Sequence, residues 1–259
     1  MNIVVLVKQV PDTWAERKLK DSDKTLDRAS VDVVMNEIDE YAVEEALKIK
    51  EASGGEVTIL TMGPERAVET IRKALSMGAD KAVHLSDDAL AGSDAVQTSY
   101  ALATVLGTLE YDLVIVGSEA TDSRMAIMAA LLAERTGKPQ LSGARKVTVD
   151  GGTIRIERQT ENGYDVVEAA IPAIVSVVEK INEPRYPSFK GIMAAKKKPL
   201  TTLTIADAGI DAGQVGLASA PSQVVEFSNK PPRQAGQIVK DEGDGGSKVA
   251  EFLASQKLV

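Results

Sequence analysis

Four β-branched runs, each followed by a helical pattern, occupy the first half of the chain, and this alternation constrains the fold more than any other feature. Asn2 to Val7 (NIVVLV), Val57 to Met62 (VTILTM), Lys81 to Leu85 and Asp112 to Val116 (DLVIV) read as buried strands. A polar, irregular stretch from Lys8 to about Val34 separates the first strand from the first helix. That helix starts at Asn36, which is placed to accept from the first free amides, and Glu37, Asp39 and Glu40 suit its dipole. Ile38, Tyr41, Ala42, Ala46 and Ile49 fall on one face, and Gly54-Gly55 ends it. Further helices are predicted from Gly63-Pro64 to Gly78, from the Ser93-Asp94 cap to about Leu109, and from Met125 to Arg135. Such alternation predicts an α/β fold, a doubly wound and mostly parallel sheet with helices on both faces.

Past residue 138 the pattern changes. Ala144 to Val149, Thr153 to Arg158, Tyr164 to Ala169 and Ala173 to Val178 are strand-like, and Asp150-Gly-Gly and Glu161-Asn-Gly between them are hairpin signals. An antiparallel extension is therefore expected beside the parallel sheet. After Glu179 come Asn182-Glu-Pro-Arg-Tyr-Pro187, a short helix-like stretch and Lys196-Lys-Lys198. From about Ala208 the chain is rich in Gly, Ala, Ser and Pro, with a flexible joint at Glu242 to Gly246 and a short helix over Ser247 to Gln256. Such a tail buries little by itself and is expected to lie on a partner.

Composition excludes several chemistries. With no cysteine, disulfides, thiolate catalysis and thiolate-ligated metals are unavailable, and the single His84 permits no histidine cluster. His84 itself is read as structural. A net charge of −8 argues against nucleic-acid binding. The opening apolar run is too short for a signal peptide, and no apolar run reaches the roughly 18 residues of a membrane span. No direct membrane insertion and a cytoplasmic location are expected.

In open α/β sheets ligands sit beyond the carboxyl ends of the strands. Loops after Val7, Met62 and Val116 converge there, and the last runs Gly117-Ser-Glu-Ala-Thr-Asp-Ser-Arg124 into a helix. Small residues at a helix start favour an anion, and Arg124 can pair with a phosphate; a solvated turn without ligand is the plain alternative. The chain has no GxGxxG after its first strand, no GxxxxGK[ST] and no GxSxG, and Lys8-Gln9-Val10-Pro11 stands where a pyrophosphatase-like Ser-Gly-Gly loop would be. No nucleophile–base pair is found. Trp14 and Tyr41 can stack on a ring system, but packing is the simpler reading. Lys196 to Lys198 can attract an acidic partner or form a solvated run. Phe189, apolar in a polar stretch, reads as an interface anchor or as a residue folded back onto the core.

The stretch Ala173 to Lys198 resembles the signature of electron transfer flavoprotein beta subunits, which carry LPAxV, then NEPRYP, then IMxAKKK. Here these are Ile171-Pro172-Ala173, Asn182 to Pro187 and Ile192 to Lys198. Val4 to Asp12, Asn36 to Ala46 and Ile71 to Asp80 are similar as well, so the resemblance covers nearly the whole chain in order.

The resemblance implies a Rossmann-like, adenine-nucleotide-hydrolase type of sheet in a subunit that carries electrons and is not an enzyme. It implies a nucleotide-binding domain over 1–200, with the antiparallel extension at about 140–180 and a recognition loop at about 182–198, and a C-terminal arm over 201–259 packing on an alpha subunit. The heterodimer would take electrons from acyl-CoA and related dehydrogenases, as in fatty acid oxidation, and pass them to a membrane quinone reductase. FAD would be held mainly by the alpha subunit, and AMP would be a structural ligand here. Carried over by position, the AMP contacts are Leu6, Asn36, Ile38, Asp39, Met62 and the loop Gly117, Ser118, Glu119, Ala120, Thr121, Asp122, Ser123, Arg124, Met125, Ala126, Ile127, Met128. The partner-binding residues are Arg185, Tyr186, Phe189, Ile192 and Met193, with Phe189 where well-known members have Leu. Two departures from the family pattern matter. Ser123 to Met128 replaces the usual phosphate run, which makes Arg124 the expected substitute. Arg158-Gln159 replaces Arg-Glu in the hairpin, which predicts weaker docking of the flavin domain. Two rival readings remain: a bifurcating relative with a second FAD in place of AMP, and an ATP-hydrolysing or adenylating enzyme on the same sheet.

Overall fold

The computed structural model describes residues 1–259 apart from 234, 235 and 237. The elements in order are β1 (Asn2–Leu6), β2 (Gln9–Pro11), β3 (Val33–Met35), α1 (Glu37–Ser53), β4 (Glu56–Met62), α2 (Val68–Met77), β5 (Lys81–Leu85), α3 (Ala95–Leu106), β6 (Leu113–Gly117), α4 (Met128–Thr136), β7 (Gln140–Asp150), β8 (Thr153–Thr160), β9 (Gly163–Ala170), β10 (Ala173–Val177), α5 (Phe189–Ala195), β11 (Leu200–Leu203) and α6 (Gly245–Ser255).

Nine strands form one sheet in the order β11-β5-β4-β1-β6-β10-β7-β8-β9. The pairs from β11 through β7 are parallel, and β7-β8-β9 are antiparallel. The expected doubly wound sheet with an antiparallel extension is therefore present. Its cause is visible in the alternation of side chains: Ile3 and Val5 enter one core, while Val4 and Leu6 enter the other. The first core joins the sheet to α1 and α2 through Ala42, Val43, Ala46, Ile71 and Leu75. The second joins it to α3 and α4 through Leu102, Leu106, Leu132 and Ala133. A strand buried on both faces favours apolar residues at every position, which is why β1 and β6 read as near-continuous runs, while β4 also buries Thr58 and Thr61.

Several expectations need correction. Ala173–Val177 is not part of the antiparallel extension; it inserts between β6 and β7 as a parallel strand, and all five of its residues are buried. The stretch after Lys8 is not wholly irregular, because β2 and β3 pair antiparallel there. At three residues each they are too short to show a period. The third helix ends at Leu106, short of Leu109, where Gly107 follows. The fourth starts at Met128 instead of Met125, because Arg124 and Ala126 adopt positive φ of 49° and 54°.

The boundary expected after residue 200 lies later. β11 pairs with β5, and Ala208, Ile210 and Val215 are buried in the second core, so that part of the supposed tail packs on its own chain. The first compact unit is Met1–Val225 and the second is Glu226–Val259. The second unit contains α6, on which Val249 and Phe252 are exposed. The expected arm, 201–259, includes the three residues that lie outside the described ones. Among the described residues no helix is long and apolar enough to cross a membrane.

Candidate functional site

From β1 the sheet is built one way through β4 and β5 and the other way through β6 and β10, so the chain reverses direction between β1 and β6. Such a switch point opens a crevice at the strands' carboxyl ends. The loops leaving β1 and β6 and the start of α1 meet there.

Asn36 and Asp39 tie the three together. Asn36 Nδ2 donates to Asp39 Oδ1 at 2.9 Å and to the Glu119 carbonyl at 2.9 Å, and its Oδ1 accepts from Thr121 N at 3.0 Å. Asp39 Oδ2 accepts from Lys8 N at 2.8 Å. Asn36 therefore does not cap α1 with its side chain, as its position suggested; the side chain is committed across the crevice. Gly117 ends β6 against this pair. A Cβ there would stand 2.4 Å from Asp39 Oδ1 and 3.2 Å from the Ile38 carbonyl carbon.

Burial pushes the Asp39 carboxyl up to about 7, against the opposing pull of bonds from Lys8 N, Asn36 and Gly117 N. A carboxyl that holds its proton more tightly when folded costs nothing while neutral. It costs progressively more as pH rises from 3.8 through about 7, and a constant amount above that. Relative to Asp39→Asn, the wild type should lose stability on the order of a few kcal/mol between pH 4 and pH 7.5. Urea midpoints of the two proteins at fixed concentration measure this, and a pH-independent difference would refute it.

A second cluster lies beside the first. The Asp122 side chain is 1% exposed; Lys8 Nζ donates to its Oδ1 at 2.8 Å, and Arg28 Nη2 stands 2.5 Å from its Oδ2. Burial acts to raise the Asp122 carboxyl, but Lys8 and Arg28 outweigh it and hold it below the ordinary carboxylate range. Lys8 shifts down as well, because burial weighs more on the ammonium than Asp122 returns. Arg28 is brought in by its backbone, whose carbonyl accepts from Arg66 Nη1 at 3.0 Å. The loop then passes through Arg124 and Ala126 to α4, whose N-cap residue, Ile127, provides no side-chain cap.

Of the residues expected to contact a nucleotide, Asn36, Ile38, Asp39, Gly117, Glu119, Thr121 and Asp122 come together here. Leu6 is buried at the end of β1, and Met62 packs on the same core from the end of β4. Ser118, Ala120, Ile127 and Met128 are half-buried, whereas Ser123, Arg124, Met125 and Ala126 are exposed. Arg124 meets only Glu119, at 3.4 Å. The cations that meet the buried Asp122 carboxylate are the half-buried Lys8 and Arg28, which sequence reasoning did not select. Lys8 was legible, as the first charge beyond the carboxyl end of β1. Arg28 carries no local signal, since only the path of the β2–β3 connection brings it to Asp122.

The second candidate surface surrounds α5. Tyr186 is 97% exposed and Phe189 81%, and Ile192 and Met193 are exposed beside them. Phe189 is thus not folded onto the core. The segment that follows it is fastened to α2 by hydrogen bonds. Arg72 Nη1 donates to the carbonyls of Ala195 and Lys198, and Lys198 Nζ donates back to those of Leu75 and Ala79, at 2.9 and 2.5 Å. Lys198 thus binds one carbonyl in the last turn of α2 and one just beyond its end, and leaves the solvated run expected at 196–198. Arg185 also differs from expectation. Its guanidinium is bound to Glu44 and Glu51, two turns apart on α1, which raises its pKa further and makes it an anchor of the loop. His84 is buried as a structural residue, with Nε2 3.0 Å from the Gly63 carbonyl. Trp14, expected to pack, is 96% exposed; Tyr41 packs against the first core. Gln159 is exposed on β8 beside a cavity of about 560 Å³ lined also by Arg145, Val178, Glu179 and Lys180.

Comparison with known proteins gives a consistent answer. The electron transfer flavoprotein domain family matches residues 23–208. The electron transfer flavoprotein subunit beta of Mycobacterium tuberculosis is 57% identical, and that of Mycobacterium leprae 56%, each over 264 residues spanning 100% of this chain and 99% of the relative. The subunit of the same name from Thermoanaerobacterium thermosaccharolyticum is 41% identical over 239 residues, 92% of each chain. With the doubly wound sheet, its switch-point crevice and the exposed α5 already in place, the chain belongs to the electron transfer flavoprotein family, among its beta subunits.

Proposed function

We propose that this beta subunit holds one AMP in the β1–β6 crevice and uses α5 to grip client dehydrogenases, while a partner alpha subunit holds FAD. The observation that carries the reading is the pairing of two features on one compact unit: a buried polar clamp at the switch point and an exposed apolar cluster on a fastened helix. The residues present fit an adenylate. Leu6 and Met62 at the strand ends and Ile38 in the first turn of α1 supply apolar surface, and Lys8 and Arg28 supply positive charge against the single carboxylate of Asp122. Thr121 Oγ1 and Arg28 Nη1 are buried polar atoms without a hydrogen-bond partner among the described residues, as expected of a site that receives a polar ligand. AMP supplies no redox chemistry; it fills and cross-links the crevice. FAD on the partner subunit supplies the electron-carrying centre, and the residues of this chain position that partner and the client.

Clients are proposed to be acyl-CoA and related dehydrogenases, and a membrane quinone reductase is the proposed acceptor. Phe189 fits a hot-spot role because a large apolar side chain on a pre-ordered helix loses little freedom on docking. Phe189→Ala should weaken client binding by about 2 kcal/mol, roughly thirtyfold, while leaving nucleotide content and fold intact. The test is stopped-flow reduction of the heterodimer's flavin by a substrate-reduced acyl-CoA dehydrogenase, titrated in heterodimer. An unchanged half-saturating concentration would remove α5 from the docking surface.

A further inference from the structure

We propose that Arg28, set against Asp122 and backed by Lys8, binds the phosphate of the adenylate and selects a nucleoside monophosphate over the bare nucleoside. The inference rests on the adenylate reading above and deepens it, for Arg28 lies outside the loop expected to hold the phosphate. Three observations carry it.

The first is charge. Lys8 Nζ already neutralises Asp122 with a hydrogen bond of 2.8 Å, so Arg28 brings a second cation to one buried carboxylate. An excess positive charge partly out of water is costly unless an anion joins it. Asp39, the other acid near Lys8, is pushed up to about 7 and so is not a full counter-charge at neutral pH.

The second is geometry. A guanidinium that exists to satisfy a carboxylate meets it as a fork, with two parallel N–H···O bonds. Arg28 does not. Nη2 lies 2.5 Å from Asp122 Oδ2, off the axis of a hydrogen bond, and Nη1 is buried with no partner among the described residues. That leaves donors for a second anion. Thr121, 7% exposed and adjacent to Asp122, has its hydroxyl oxygen equally unpartnered. Phosphate oxygens accept from both groups.

The third is position. Arg28 and Lys8 meet Asp122 at the entry to α4, whose first turn has no side-chain cap and follows two residues of positive φ. One loop thus joins the carboxylate that holds both cations to an uncapped helix start, a combination suited to an anion. Arg124 shares the loop but not the contacts: it is exposed, and its guanidinium meets Glu119 and not Asp122. Of the two arginines near this loop, Arg28 is therefore the one placed to take the phosphate.

The test uses the heterodimer depleted of nucleotide, titrated calorimetrically with AMP and with adenosine. The wild type is expected to bind AMP at least about tenfold tighter than adenosine, the effect of a charge-assisted contact. Arg28→Gln should bring AMP down to the adenosine level and leave adenosine unchanged, and it should emerge from purification with less AMP. Arg28→Lys, which keeps charge but loses the fork, should bind AMP about tenfold more weakly than the wild type, and it decides the matter if Arg28→Gln fails to fold. Arg28→Gln retaining the preference for AMP, Arg28→Lys retaining full affinity, or a wild type that binds AMP and adenosine alike would overturn this inference alone. A wild type that binds neither would overturn the adenylate reading itself.

Discussion

Gly117→Ala should destabilise the subunit by about 3 kcal/mol and strip it of nucleotide. A methyl at this position would meet Asp39 Oδ1 at 2.4 Å, Ile38 Cγ2 at 3.1 Å and the Ile38 carbonyl carbon at 3.2 Å. None of these can yield cheaply. Asp39 is held through Asn36 and Lys8 N, and the Ile38 backbone is the first turn of α1. The helix would have to move off the end of β6, opening the Asn36–Thr121 and Asn36–Glu119 bonds that close the crevice. Gly246→Ala is the matched control. It lies in α6 with open space around it and should be neutral or slightly stabilising. Urea midpoints of both variants at fixed concentration give the comparison. A loss below about 0.5 kcal/mol for Gly117→Ala would mean that the close approach of α1 to β6 is not required.

Arg185→Ala should have an effect of similar size by a different route. Glu44 is buried on α1 and accepts from Arg185 Nε and Nη2 at 2.7 and 3.0 Å. Removing the guanidinium leaves that carboxylate uncompensated, a change that costs about 3–5 kcal/mol for a fully buried pair. Arg185 is about a third exposed and Glu51 more so, so solvent screening brings the expected loss to about 2–3 kcal/mol. The same guanidinium anchors the segment leading to α5, and without it that segment must be ordered at the moment of docking. Client binding should weaken although Phe189 is untouched. Arg185→Lys should recover part of the stability, since it keeps the charge and loses the fork. The anchor role is wrong if Arg185→Ala unfolds at the wild-type urea concentration or docks clients with wild-type affinity.

The parallel core was legible because strands buried on both faces announce themselves as apolar runs, and capping signals such as Asp94 with Gln97 mark the helices between them. The candidate site was legible where function falls on loops at strand ends. Asn36, Asp39, Gly117 and Asp122 all lie within a few residues of an element boundary. Interactions that depend on long-range closure were not legible. Arg28 reaches Asp122 across a connection with no period, Asn36 turns from the helix it precedes to a loop more than eighty residues later, and Arg185 is drawn from the surface by two acids on α1. In each, a polar side chain has a local role that its type suggests and a distant partner that bonds it better. The placement of Ala173–Val177 inside the parallel sheet failed for a related reason. Hairpin signals precede it in sequence and suggest that the meander continues, but strand order follows from packing on both faces.

The central claim is that the crevice between β1 and β6 holds one adenylate while the flavin belongs to the partner subunit. It is tested most directly by denaturing the purified heterodimer, separating the released nucleotides and quantifying each against protein. The account predicts one AMP and one FAD per heterodimer, with AMP lost and FAD retained in the Gly117→Ala variant. Two FAD per heterodimer and no AMP, or no adenylate in any fraction, would contradict it.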